Sequence, residues 1–72
     1  MASERIRKEF GIGPAKAFET IYQHPEFTAE QIANELGKTA RTVEKYIAKL
    51  KMAGFIVRKG PKLGGHWEVN GQ

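Results

Sequence analysis

The sequence predicts a mainly α-helical fold: a core of three helices closed by a small β-hairpin. Gly37 and Gly54 stop two helical runs, and after Gly54 the hydrophobic period changes from that of a helix to that of a strand. The chain has 72 residues and 8.1 kDa, enough for one small domain. Residues 14–69 should form that domain, preceded by an arm or short helix over 1–13 and followed by a tail over 70–72. A domain of this size buries only about 60% of its unfolded surface, so its core is small.

In the opening stretch Ile6 and Phe10 lie four residues apart ahead of Gly11, compatible with a short helix or a frayed arm. The first core helix should begin with Pro14 as its N1 residue, where a missing N–H costs nothing. Ala17, Phe18, Ile21 and Tyr22 supply its apolar stripe. His24-Pro25 ends it, because the residue before a proline is pushed out of the α region.

Thr28 and Gln31 fit a capping box, with Phe27 and Ile32 placed for a hydrophobic staple. Ala29, Ile32, Ala33 and Leu36 form the buried face of that second helix, and Gly37 closes it. Thr39 is a good N-cap for the third helix. Val43, Ile47 and Leu50, with Tyr46 and Ala40 at the edges, lie within about 60° of one line at 100° per residue. Gly54 ends the helix. Phe55–Arg58 and His66–Val69 then read as two strands around the basic, turn-rich segment from Lys59 to Gly65. Three consecutive apolar residues, Phe55 to Val57, leave the inward side of the first strand undecided.

Charge is distributed unevenly. The net charge is +4, yet residues 38–62 hold eight Lys or Arg against the single acid Glu44, a net +7. The remaining 47 residues hold four basic residues and seven Glu. Such a basic segment suits a polyanionic partner, although a solvated lysine face has the same composition. Relative to Val43, Arg41, Lys45 and Lys49 fall at about 160°, 200° and 240° on the helical wheel, opposite the core stripe.

Helix, helix, Gly-containing turn, helix and hairpin is the order of a winged helix-turn-helix. Residues 14–69 resemble the winged helix-turn-helix domains of bacterial transcriptional regulators, also found as C-terminal modules of ATP-binding or helicase-like regulators. The resemblance rests on Leu36-Gly37, Thr39, Arg41-Thr42-Val43, Lys49-Leu50 with Gly54, and Gly65-His66-Trp67. Lys38 departs from the pattern, which places a small apolar residue there. Either its stem packs while its ammonium reaches solvent, or it faces DNA. The polar pattern of the third helix and the lack of Pro-Pro before Trp67 separate the chain from Z-DNA-binding winged helices.

The expected function is therefore double-stranded DNA binding, in transcriptional regulation or as the DNA-reading module of a larger protein. The recognition helix should span about 40–53 and the basic wing about 58–65. Arg41 suits base readout because guanidinium can bond two guanine acceptors at once. Thr42 and Lys45 suit base or phosphate, and Lys49 phosphate; Lys38 and Thr39 flank them in the turn. Arg58, Lys59 and Lys62 would reach the backbone or minor groove from the wing. Thr28 could seat a phosphate, or simply cap its helix.

Other classes are disfavoured. The chain has no Cys and no Asp, with His24 and His66 as its imidazoles, so disulfides, thiol chemistry and a metal centre are not expected. Gly37-Lys38-Thr39 resembles the end of a P-loop, but Ile32 stands where that motif needs glycine. Gly11-Ile12-Gly13 lacks the third glycine of a dinucleotide fingerprint. No nucleophile has a nearby base, so no enzyme, no cofactor and no small-molecule substrate are expected. Trp67 and the four phenylalanines read as packing. Without a long apolar run or secretory leader, the expectation is a soluble, cytoplasmic protein with no membrane partner. The alternative is a protein-interaction or dimerisation winged helix, in which Ile6 and Phe10 could pack on a second copy; a homodimer or a larger parent protein is the possible partner. RNA or single-strand binding would need exposed aromatics to stack bases.

Overall fold

Four helices precede an antiparallel hairpin in the computed structural model, which describes residues 2–61 and 64–70. They are α1 (Ala2–Phe10), α2 (Ile12–Gln23), α3 (Ala29–Leu36) and α4 (Ala40–Met52), followed by β1 (Ile56–Lys59) and β2 (His66–Val69). The opening segment is thus a helix. It packs along α2 and buries Ile6 completely within the chain, with Phe10 against the edge of the core. The Arg5 guanidinium lies 5.5 Å from the centre of the Phe55 ring. Ile6, proposed above as a contact for a second copy, is spent on the chain's own core.

α2 starts at Ile12, two residues before Pro14, with Gly11 as its N-cap at φ 98°. Pro14 stays within the first turn, where N–H groups have no intrahelical acceptor, so the ring is tolerated there as well as at N1. α2 ends as expected, with the His24 N–H donating to the Thr20 carbonyl. Tyr22 is 46% exposed rather than part of the stripe. Flanked by α1 as well as by α3 and α4, α2 buries Pro14, Ala15 and Thr20 in addition to Ala17, Phe18 and Ile21.

Both bonds of the capping box are present: the Gln31 N–H donates to Thr28 Oγ1 (3.2 Å) and the Thr28 N–H to Gln31 Oε1 (2.8 Å). Thr28→Ala should lower stability by about 1 kcal/mol. For a domain of this size that is a drop in Tm of about 4–8 °C, checked by thermal melting. α3 and α4 both end in Schellman geometry. Lys38 N–H reaches the Ala33 carbonyl at 2.9 Å around the left-handed Gly37, and Phe55 N–H reaches that of Leu50 at 3.0 Å around Gly54.

Phe18, Ile6, Ile21, Ile32, Leu50 and Val43 form the fully buried centre. Phe18 meets Phe55 edge-on at 6.2 Å. The hairpin register pairs Ile56 with Val69 and Arg58 with Trp67, which puts these four side chains on the inner face. This settles the sidedness of β1. Trp67 fastens the hairpin to the helices: its backbone N–H donates to the Pro25 carbonyl (2.8 Å) and its Nε1 to that of Phe27 (2.9 Å).

Candidate nucleic-acid interface

Positioning begins with the turn between α3 and α4. Gly37 reverses the chain in the left-handed conformation, and Thr39 caps α4 two residues later. The Thr39 hydroxyl accepts from the Thr42 N–H at 3.2 Å and lies 3.0 Å from Thr42 Oγ1, to which it donates. The cap therefore holds the Thr42 hydroxyl in place at the start of α4.

Along α4, Val43, Ile47 and Leu50 face the core and Arg41, Lys45 and Lys49 are exposed on the other side. The lysines of the last turn, Lys49 and Lys51, match the helix macrodipole at its carboxyl end, whereas the first turn holds no acid to match the amino end. Lys38 is exposed in the turn, and Thr28 is exposed with its oxygen already bonded in the capping box.

The wing basic residues divide. Lys59 is exposed on the outer face of the hairpin beside His66. Arg58, expected to reach DNA, lies instead on the inner face, its guanidinium 4.9 Å from the centre of the Trp67 ring. Arg58 Nη1 is buried with no hydrogen-bond partner among the described residues. Strand alternation sends the side chain inward, where cation–π contact with indole holds it. Gly65 is required beside it: a Cβ there would come within 2.7 Å of the Lys59 carbonyl oxygen and 2.6 Å of that of Pro61. Lys62 lies outside the described residues.

A cleft of about 340 Å³ opens beside this surface, lined by Ile12, Gly13, Lys16, Leu36, Lys38 and Tyr46. It joins the first turns of α2 to the α3–α4 turn, with Lys16 and Lys38 both in its lining. Sequence reading missed Lys16, which stands far from the basic segment. The available signal was local: Ile12 and Lys16 are four residues apart, with Gly13 on the same helix face. A Cβ on Gly13 would lie 2.5 Å from Tyr46 Cζ and Oη. Since the contact is with the far end of a side chain, Gly13→Ala should displace the Tyr46 ring rather than the helix. Stability should stay within about 1 kcal/mol, because removing a helical glycine offsets part of the steric cost. Tyr46 ring resonances should shift while the melt changes little.

Among the described residues no group of His, Cys or acidic side chains is arranged to hold a metal. No described helix is long and apolar enough to cross a membrane.

A three-helix core with a tight turn between its last two helices, followed by an antiparallel hairpin, defines the winged helix-turn-helix class. A family model described as an HTH domain matches residues 16–66, and the chain belongs to that helix-turn-helix family of DNA-binding domains. Neither a curated protein nor a solved structure matches the chain.

Proposed function

We propose that the protein binds double-stranded DNA by laying α4 in the major groove, and that it serves transcriptional regulation in the cytoplasm or reads DNA for a larger protein. The observation that carries this reading is the exposed row Arg41, Lys45 and Lys49, opposite a core face formed by Val43, Ile47 and Leu50. A helix fits the major groove, and the residues of its first turn meet base edges. Arg41 and the Thr42 hydroxyl take that role. Lys45 touches base or phosphate, and Lys49 and Lys38 hold phosphates. Thr39 acts by capping α4 and orienting Thr42. Lys59 meets the flanking backbone from the hairpin, and Lys62 adds charge to the same segment. Arg58 contributes by holding the hairpin against Trp67. Thr28 borders the interface at the start of α3, where free N–H groups favour a phosphate.

Fluorescence anisotropy with a random-sequence duplex tests the reading. With about four to six phosphates neutralised, the dissociation constant should lie near 10⁻⁴ to 10⁻⁶ M at physiological salt and weaken steeply as salt rises. An absence of duplex affinity at low salt would rule it out.

A further inference from the structure

The DNA-facing row accounts for one side of α4 but leaves the cleft beside it without a role. Thr42, Tyr46 and Lys49 stand at i, i+4 and i+7, one continuous stripe down α4. The stripe begins at the Thr42 hydroxyl and ends at an exposed lysine, and the cleft opens at its middle residue. Across the cleft, α2 contributes Ile12, Gly13 and Lys16, and the turn contributes Lys38. Both lysines are exposed, and neither has a carboxylate within ion-pair distance among the described residues. No acidic residue lines the cleft. Two lysines without an acidic partner and a tyrosine lining one concavity suit a tetrahedral oxyanion, and Gly13 keeps the phenol there because any larger residue would displace it.

We infer that this cleft seats one phosphate of the duplex backbone, held by Lys16, Lys38 and the Tyr46 hydroxyl, at the edge of the groove that α4 enters. The inference rests on the DNA-binding reading and extends the contact surface from the basic segment to α2. A phosphate bound there fixes the distance between α2 and the duplex, and with it the depth to which Arg41 enters the groove. Contacts of this kind set register and carry no sequence information themselves.

The test compares the full chain with Lys16→Ala, Tyr46→Phe and, as a control on α1, Lys8→Ala, titrating random duplex at several salt concentrations. Lys16→Ala should flatten the slope of log K against log salt by about 0.9, one phosphate contact. Tyr46→Phe should weaken binding without changing the slope, since the hydroxyl is neutral. Lys8→Ala should alter neither. In parallel, the amide resonances of Gly13 and Lys38 should shift on duplex addition in the unmodified chain and move less in Lys16→Ala. An unchanged slope in Lys16→Ala, with Arg41→Ala still weakening binding, overturns the cleft assignment and leaves the DNA reading standing. Loss of all duplex affinity in the unmodified chain overturns both. Shifts of these amides with inorganic phosphate alone, and none with duplex, would assign the cleft to a free oxyanion and overturn the backbone assignment.

Discussion

Trp67→Ala should leave the domain largely unfolded near physiological temperature. Removing a buried indole costs about 3–5 kcal/mol. A chain of 72 residues has a total stability of about 4–11 kcal/mol, and at the low end expected of so small a core the loss approaches the whole. Trp67 has more than packing to lose. Its Nε1 is bonded to the Phe27 carbonyl just before α3, and its ring carries the Arg58 guanidinium. The indole thus ties the hairpin to the helical core and covers a charged group that is itself short of partners. Trp67→Phe separates these contributions. It keeps an aromatic surface but leaves the Phe27 carbonyl unsatisfied, at about 1–3 kcal/mol. Circular dichroism melts of both variants measure the difference. A cooperative Trp67→Ala melt within a few degrees of the parent would contradict this account of the hairpin.

The double substitution Arg41→Ala with Lys45→Ala should abolish most duplex affinity while leaving the fold intact. Both side chains are exposed and face away from the core, so stability should change by no more than about 0.5 kcal/mol. Binding should fall by about 10- to 100-fold at low salt, with the salt slope lower by at most about 0.9, the one phosphate contact open to Lys45, since Arg41 reads bases. The paired measurement matters, since a variant that lost binding by unfolding would melt early. Normal melting with unaltered duplex affinity would remove the α4 row from the interface and move the duplex contact to another surface.

Local chemistry made much of this molecule legible in its sequence. Thr28 and Gln31 form the capping box that their spacing implies, and Gly37 and Gly54 stop their helices in the left-handed conformation. Such features depend on residues within one or two turns of each other. The start of α2 differs from the expected one for a related reason. Pro14 marks a helix beginning, but the whole first turn tolerates it, and the N-cap is Gly11.

The side chains whose roles moved are those governed by partners distant in the chain. Ile6 reads as a free apolar residue until α1 is laid along α2, where it is buried. Arg58 belongs by composition to a basic wing, yet strand register turns it onto Trp67. Lys16 lies in a mildly acidic part of the sequence and becomes part of the basic surface only when α2 meets the α3–α4 turn. Tyr46, read as the edge of an apolar stripe, proves to fill the space that Gly13 leaves open.

By itself, then, the sequence determined the order of elements, their stops and caps, the core face of α4 and the cationic row opposite it. Those follow from backbone conformation and helical period, which act over a few residues. Tertiary structure alone decided which cations remain free to meet a polyanion. That depends on which faces are pressed together, and the docking of α1 and the hairpin on α2 is a property of surfaces that no short window of sequence contains.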